Sequence, residues 1–332
     1  MILCTCQAGF EPLLREEWAA GGVAAIESGP GWALFPAALA GESAFAHARL
    51  DEVLEVSGES VNALAQAIAS HVLEGLRGER VESPWPCLMD GPAEIVGLGR
   101  RVSAVEKAFH EAIKRKLNRV AKLASPEQER GIGASRGLFA YFTDFRRVFV
   151  SRSWWRNGQR RMADDAAAPS RSYLKVEEAY GILGRQPLEG ERVCDLGAAP
   201  GGWSYSAAKR GAQVVAVDNG PLKAGALDNP LIEHRMEDAF GLVPARGGFD
   251  WLFCDMIEEP HRIVRSIVSP WLESGGCRRF VVNLKFGRVN PVALLAELRH
   301  PDSPLVRFAP GFRVRHLLHD REEFTVVGEV VP

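Results

Sequence analysis

The chain has 332 residues, of which 46% are hydrophobic and 25% charged, and its formal net charge is -2. This length predicts two or three domains, and these ordinary fractions exclude a disordered or fibrous protein. No run approaches the roughly 18 apolar residues of a membrane helix, and Met1 is not followed by the pattern of a signal peptide. The six cysteines have neither the spacing of a zinc site nor that of a disulfide framework. We therefore expect a soluble, reduced, cytoplasmic protein without a metal site.

Charge is distributed unevenly along the chain. Residues 1–95 carry 4 basic and 14 acidic side chains, a net charge of -10, whereas residues 96–163 carry 16 basic and 5 acidic ones, a net charge of +11. Residues 164–332 are close to neutral, with 20 basic and 23 acidic side chains. A basic segment inside a nearly neutral chain predicts that this segment contacts a polyanion.

The first 80 residues have the pattern of a small α+β domain. An apolar run at residues 2–6 is followed by helical spacing of Leu13, Leu14 and Trp18. Residues 23–26 and 32–35 flank a Gly-Pro-Gly turn and predict a hairpin, and residues 60–76 alternate at helical spacing.

Residues 81–163 are predicted as a second, basic domain with its linker. A helix is expected over 103–123, with an apolar stripe of Val105, Phe109, Ile113 and Leu117. Two strands are expected at 137–143 and 147–150, and residues 151–161 are rich in Arg and Trp. The basic residues could simply belong to a solvated helix face and a linker. Basic side chains interleaved with aromatic ones are, however, what RNA binding uses, and we favour RNA.

Residues 164–332 alternate strands and helices, which predicts an open parallel sheet with helices on both faces. The expected strands are 192–196, 213–217, 251–254, 280–284, 312–318 and 323–331. Helices are expected to begin near Gly202, Pro260 and Asn290.

The strongest motif is Val193-Cys-Asp-Leu-Gly-Ala-Ala-Pro-Gly-Gly-Trp203, in which a strand ends at an acid and small residues lead into a helix. Small residues let the backbone approach a ligand, whose polar groups the helix N-terminus can bind. The motif resembles the S-adenosylmethionine loop of class I methyltransferases and differs from the dinucleotide pattern. The resemblance implies cofactor contacts from the loop residues Asp195, Gly197, Ala199, Pro200, Gly201, Gly202 and Trp203. It also implies that Asp218 holds the ribose hydroxyls and Asp238 meets the adenine edge.

Two later strands end in charged residues, Asp255 and Lys285. The position after Cys254 lacks the Asn/Asp-Pro-Pro-Tyr turn typical of amino-group methyltransferases, and Cys254 itself is expected to point into the sheet. A lysine that ends a buried strand is costly unless its charge is used.

These residues together resemble the FtsJ-type ribose 2′-O-methyltransferases, which use a Lys-Asp-Lys-Glu tetrad. The resemblance covers 165–332 and assigns the tetrad to Lys175, Asp255, Lys285 and Glu322, with Glu323 left as an alternative acid. It also implies cofactor contacts from Ser172 and Asp255. The fold class expected is a Rossmann-like class I methyltransferase sheet preceded by an α+β ferredoxin-like and THUMP region.

The N-terminal Cys-x-x-Gly-Phe-Glu element, the basic middle domain and the Trp-Trp-Arg segment resemble a bacterial family of 23S rRNA 2′-O-ribose methyltransferases. This implies 23S rRNA or its precursor particle as partner, a cytidine near the peptidyl-transferase centre as target, and S-adenosyl-L-methionine as cofactor. We expect RNA contact mainly from residues 96–163, no membrane contact, and a monomer.

Lys285 is our choice for the base that removes the hydroxyl proton, although stabilisation of an alkoxide by its charge stays open. Burial, the positive charge of the cofactor and Lys175 would lower its pKa, and the two acids would raise it. Two other functions stay open. One is an S-adenosylmethionine enzyme that modifies another RNA position or a small molecule, and the other is a non-catalytic RNA-binding assembly factor.

Overall fold

The computed structural model describes residues 1–126, 131–242 and 244–331 and divides the chain into two compact units, Met1–Gly158 and Gln159–Pro332. Residues 127–130 of the predicted basic segment lie outside the described residues. The boundary between the units lies five residues before the predicted boundary at 163/164.

The first unit is an α+β structure with four helices and nine strands among its described residues. Its elements are β1 (Ile2–Thr5), α1 (Glu11–Ala20), β2 (Glu27–Gly29), β3 (Trp32–Phe35), β4 (Ala48–Asp51), β5 (Leu54–Ser57), α2 (Val61–Gly75), β6 (Trp85–Asp90), α3 (Leu98–Lys116), α4 (Asn118–Leu123), β7 (Ala124–Ser125), β8 (Ile132–Phe142) and β9 (Arg147–Asn157).

One mixed sheet runs through this unit in the order β2-β3-β1-β4-β9-β8-β6-β7, and β5 also pairs with β9. The predicted division at residue 80 therefore falls inside a continuous sheet, because β4 and β5 pair with β9 of the basic segment. Helices α2 and α3 pack through Leu64, Ile68 and Phe109 into a core that includes Val148 and Val150 of β9.

Three predicted elements of this unit have different bounds in the structure. The predicted hairpin pairs residues 23–26 with 32–35, whereas in the structure β2 pairs with β3. Only the last residue of the predicted range reaches this pairing, since Ile26 N–H donates to Leu34 C=O. The long predicted helix begins earlier, at Leu98, and breaks at Leu117, whose φ of -140° is not helical. Residues 151–157 belong to β9 and not to a linker, because they continue the pairing with β8.

The second unit is an α/β structure. Its elements are α5 (Tyr173–Leu183), β10 (Arg192–Leu196), α6 (Gly202–Ala208), β11 (Gln213–Val217), β12 (Ile232–Arg235), β13 (Trp251–Cys254), α7 (Pro260–Ile263), α8 (Ser269–Glu273), β14 (Arg279–Lys285), α9 (Pro291–Leu298), α10 (Pro304–Phe308), β15 (Arg313–Arg315) and β16 (Glu323–Glu329).

Its seven-stranded sheet has the order β12-β11-β10-β13-β14-β16-β15. Strands β10 to β14 are parallel, as expected, whereas β15 and β16 are antiparallel to their neighbours. The strand order reverses beside β10, so the carboxyl ends of β10 and β13 open a crevice in which ligands of such sheets bind. Helix α5 and strand β12 were not predicted from the sequence. Among the described residues, no helix has the length and apolarity that crossing a membrane requires.

Candidate active site

The loop after β10 is shaped by glycines that cannot carry a side chain. Gly201 has a φ of +104°, and a Cβ on it would lie 2.5 Å from Ala226 Cβ. Gly197 has a φ of +75°, and its Cβ would lie 2.6 Å from Met256 Cγ. The backbone of this loop is therefore held open in a conformation that L residues rarely adopt.

Ser172 and Trp203 support the loop from one side. The Trp203 indole N–H donates to Ser172 C=O at 2.9 Å, and the ring packs edge-on against Phe253. The Trp203 side chain is buried, so it packs the loop and does not line it. The Ser172 hydroxyl hydrogen-bonds Ser170 at 2.7 Å, and both hydroxyls would lie 2.9 Å from a Cβ on Gly202.

Asp195 is buried below this loop. Its Oδ2 accepts from the Ser204 hydroxyl at 2.6 Å, whereas its Oδ1 has no hydrogen-bond donor among the described residues. Burial raises the pKa of Asp195 to about 7, although the hydrogen bonds from Ser204 act in the opposite direction. This buried oxygen therefore has no partner from the part of the protein that the structure describes, and an N–H or O–H group of a bound ligand could donate to it. Such a contact is what the predicted role of Asp195 in cofactor binding requires.

The two acids predicted to hold the ribose and adenine of the cofactor follow β11 and β12. Asp218 accepts from the backbone N–H groups of Ala199 at 3.0 Å and Gly220 at 2.7 Å, which ties the loop after β10 to the end of β11. Asp238 is exposed and accepts from Phe240 N–H at 3.0 Å. Both carboxylates keep lone pairs for hydroxyl or amino donors.

Four charged side chains meet beside this crevice. Lys285 Nζ donates to Asp255 Oδ1 at 2.7 Å and to Glu323 Oε2 at 2.9 Å. Lys175 Nζ lies 2.6 Å from Glu323 Oε1 and 3.8 Å from Asp255 Oδ1. Two ammonium groups and two carboxylates therefore alternate in one half-buried cluster, in which each carboxylate contacts both lysines.

The acid of this cluster is Glu323, whereas the sequence favoured Glu322. The antiparallel register pairs Lys285 directly with Glu323, so their side chains lie on the same face of the sheet. Glu322 precedes the strand and is exposed, and its backbone C=O accepts from Phe286 N–H at 2.8 Å. Adjacent residues of an extended chain point to opposite sides, which is why only one of the two acids can join the cluster.

The charges of the cluster stabilise one another. Burial by itself lowers the pKa of Lys285, but the charges and hydrogen bonds of Asp255 and Glu323 outweigh it and raise that pKa above its ordinary value. Burial raises the pKa of Glu323, but the two lysines bring it down to about 2. Of the opposing effects expected from the sequence, the raising effect of the two acids outweighs burial, so this geometry favours the ammonium form of Lys285.

Glu178 and His316 hold the loop that leads into β16. Glu178 accepts from the backbone N–H groups of Arg160, Leu318 and His319 at 3.0 to 3.2 Å. His316 Nε2 donates to Arg321 C=O at 2.7 Å. Because Lys175 and Glu178 are on α5, one helix carries a charged residue of the cluster and an anchor of the loop before Glu323.

Comparisons with known proteins identify the family of this chain. The model of the FtsJ-like methyltransferase family matches residues 168–268. Ribosomal RNA large subunit methyltransferase M of Xanthomonas oryzae pv. oryzae (strain MAFF 311018) is 31% identical over 98% of this chain and 98% of its own. The chain belongs to the ribosomal RNA large subunit methyltransferase M family. The same-named protein of Alkalilimnicola ehrlichii is 37% identical over 81% of this chain and 73% of its own.

Membership of this family confirms the predicted FtsJ-like class I methyltransferase fold and S-adenosylmethionine as the cofactor. The loop after β10, with its open Asp195 acceptor, is where the residues fit that cofactor. Among the described residues, no group of three or more His, Cys, Asp or Glu side chains could hold a metal ion.

Several polar residues behind the cluster were not predicted from the sequence. Asn283, Thr325 and Asp320 are buried at 0 to 2% exposure and connect to Asp255 by hydrogen bonds. A signal was present in the sequence, because Asn283 interrupts the apolar strand Val281-Val-Asn-Leu at a spacing of two from Lys285.

Proposed function

We propose that this protein transfers a methyl group from S-adenosylmethionine to a ribose 2′-hydroxyl of 23S rRNA, with a cytidine near the peptidyl-transferase centre as the target. The observation that carries the proposal is the cluster of Lys175, Asp255, Lys285 and Glu323 at the sheet edge that holds the cofactor loop. The names of the relatives support an rRNA substrate. Methylation of cytosine at C5 needs a nucleophilic cysteine. Cys254 is fully buried, which disfavours that role and so favours an oxygen target over a base carbon.

A ribose hydroxyl is a weak nucleophile, so the protein must align it and stabilise the charge that develops as its proton leaves. The cofactor supplies, when bound, an activated methyl group on a positively charged sulfur. Lys285 Nζ has three hydrogens, and Asp255 and Glu323 accept two of them. The third is available to the substrate oxygen. We assign Lys285 this donor role, in which its charge stabilises the oxygen, and assign Lys175 the second positive charge. The oxygen would form its new bond to the methyl carbon as the bond from that carbon to sulfur breaks, with the electron pair left on sulfur and the hydroxyl proton released to solvent water.

The exposed face of α3 and α4 is the proposed RNA surface. Its basic side chains are solvent-exposed and pair with no acid among the described residues: Lys107, Lys114, Arg115, Lys116, Arg119 and Lys122. An unpaired positive face of this kind attracts phosphates with little dependence on sequence. The apolar stripe predicted for this helix, including Val105 and Phe109, is buried on the opposite side.

The arginines of the β8–β9 hairpin are less suited to this role, because acids of residues 1–95 neutralise them. Arg147 pairs with Glu27 at 2.6 Å and with Glu55 at 2.9 Å. Arg152 pairs with Glu79 at 2.9 Å. These ion pairs give a structural role to part of the net negative charge of residues 1–95, which the sequence alone did not explain. A cytoplasmic monomer remains our expectation for an enzyme with an rRNA substrate.

The test is methyl transfer from radiolabelled S-adenosylmethionine to rRNA without its own modifications, followed by nucleoside analysis. We expect label on 2′-O-methylcytidine, and we expect Lys285→Ala and Glu323→Gln to lower kcat by about 10²-fold or more while cofactor still binds. The matched control is Glu322→Gln, whose side chain is outside the cluster and which should retain activity within about twofold.

Each other outcome identifies an alternative. Label on a base would overturn the ribose assignment and leave the fold intact. If no RNA, including a partly assembled particle, were labelled while cofactor bound normally, the non-catalytic RNA-binding function would replace our proposal. Equal losses in Glu322→Gln and Glu323→Gln would contradict the assignment of the cluster acid.

A further inference from the structure

A chain of buried polar side chains extends from the cluster into the sheet. Asn283 and Thr325 are directly paired in the β14–β16 register, two residues along from the pair Lys285 and Glu323. Side chains two residues apart in a strand share one face, so the two pairs are neighbours on the same side of the sheet. Asp320 lies beyond Thr325 and is 2% exposed. The strand residues on either side of Asn283 and Thr325 are apolar and buried.

The direction of the first two hydrogen bonds follows from Asp255. Both lysines contact Oδ1 of this carboxylate, and because an ammonium group can only donate, that oxygen accepts hydrogen bonds. Its neighbour at 2.9 Å must then be the NH₂ group of Asn283, which directs the Asn283 oxygen toward Thr325. Thr325 Oγ1 lies 2.6 Å from that oxygen and must donate its only hydrogen to it.

The last link assigns the proton of Asp320. Thr325 Oγ1 is 3.2 Å from Asp320 Oδ1 and 3.1 Å from Oδ2, and Leu317 N–H donates to Oδ2 at 2.9 Å. Because the hydrogen of Thr325 is directed to Asn283, the hydrogen between Thr325 and Asp320 must belong to Asp320. An ionised Asp320 would instead place two acceptors against each other in a buried site, which is costly.

We propose that Asp320 is a neutral carboxylic acid at the buried end of a directed hydrogen-bond chain, in which Asp320 donates to Thr325, Thr325 to Asn283, and Asn283 to Asp255. The chain holds the Asp255 carboxylate against Lys285 and Lys175, so Asn283 and Thr325 are positioning residues for methyl transfer. The inference rests on the proposed function for what Asp255 does, but the protonation of Asp320 is independent of it.

The groups around Asp320 agree with a bound proton. Burial and the negative charges of Glu323 and Glu178 raise the pKa of Asp320 well above its ordinary value. Lys175 and the hydrogen bond from Leu317 N–H act in the opposite direction and are outweighed.

The first experiment measures the proton directly, by infrared difference spectroscopy of the wild-type protein and Asp320→Asn at about pH 8. At this pH, Glu178 and Asp195, whose pKa values are raised to about 7, are mostly ionised. We expect a protonated-carboxyl C=O band in the wild-type protein that is lost in Asp320→Asn. The absence of such a band in the wild-type protein would overturn the proposal, and this readout requires neither RNA nor cofactor.

The second experiment compares Thr325→Val, which keeps the shape and removes the hydroxyl, with Thr325→Ser, which keeps the hydroxyl. We expect Thr325→Val to lower kcat by about 10-fold to 10²-fold with KM for RNA nearly unchanged, and Thr325→Ser to restore most of it. A folded Thr325→Val with wild-type kcat would overturn the positioning role. If the wild-type protein transferred no methyl group while the infrared band was present, the proposed function would fail and the protonation of Asp320 would stand.

Discussion

At the scale of single residues, Lys285 shows how neighbours decide what a lysine can do. Burial alone would favour the neutral amine that a base requires, but Asp255 and Glu323 stabilise the ammonium ion more strongly. Without one of these two acids, the pKa of Lys285 would be lower, and the neutral amine that can act as a base would be more populated. The charge state of the cluster therefore depends on the side chains that surround Lys285 and not on lysine as a residue type.

We predict that activity changes little with pH on the alkaline side of neutrality. Because the pKa of Lys285 is raised, the ammonium ion persists between about pH 7 and pH 9, and kcat should vary by less than about twofold if its charge is what acts. A lysine base would instead give a rise of about tenfold per pH unit below its pKa. Single-turnover rates at several pH values separate the two roles.

Lys285→Arg is the matched variant for this prediction, because arginine keeps the charge and does not lose its proton. Partial activity of Lys285→Arg above that of Lys285→Ala would agree with the role of the charge. A tenfold rise per pH unit in the wild-type protein, together with an inactive Lys285→Arg, would establish a base and contradict our assignment.

At the scale of elements, the loop between β10 and α6 depends on the absence of side chains. Gly201 combines a left-handed φ with a neighbour, Ala226, that would contact its Cβ. Ser170, Ser172 and Trp203 then close the same loop from the other side. Contacts from several segments therefore fix the backbone conformation of the cofactor loop. The loop cannot change this conformation to accommodate a side chain at one glycine.

We predict that Gly201→Ala lowers the affinity for S-adenosylmethionine by tenfold or more and lowers stability by about 1–3 kcal/mol. The strain of φ +104° and the 2.5 Å approach to Ala226 Cβ are the physical reasons. Isothermal titration and thermal unfolding measure the two effects. Gly311→Ala is the control, because a Cβ at Gly311 meets nothing within 4 Å, and equal losses in both variants would refute the argument.

At the scale of the whole molecule, opposite charges are paired in one region and left unpaired in another. The acids of the N-terminal segment neutralise hairpin arginines such as Arg147 and Arg152, whereas Lys114 and Lys116 on α3 pair with no described acid. A net charge of -2 therefore coexists with a basic surface. This surface can attract RNA although the chain as a whole is not basic.

We predict that Lys114→Ala combined with Lys116→Ala weakens RNA binding and reduces the slope of log K against log salt by about 0.7–0.9 for each phosphate that the variant no longer neutralises. The control is Arg146→Ala, which removes a basic residue that is also exposed but is already paired with Glu59. Binding titrations at several salt concentrations measure the slopes. The RNA surface would be wrongly placed if the control reduced the slope as much as the double variant.

The sequence by itself determined the local parts of this protein. The strand β10 with its glycine loop, and Asp255 and Lys285 at the ends of their strands, could be predicted because apolar periodicity and small residues act over a few neighbouring residues. Lys175 was assigned only through the resemblance to the FtsJ-type enzymes. The same is true of the buried stripe on α3.

The tertiary structure alone decided which of these residues meet. The resemblance favoured Glu322 with Glu323 as the alternative, whereas the β14–β16 register selects Glu323 because it pairs that residue with Lys285. The charge state of Lys285 and the proton on Asp320 likewise depend on groups brought together from distant segments. Strand register and burial depend on contacts between segments that are far apart in the sequence. Local sequence patterns do not report such contacts, so only the folded structure determines them.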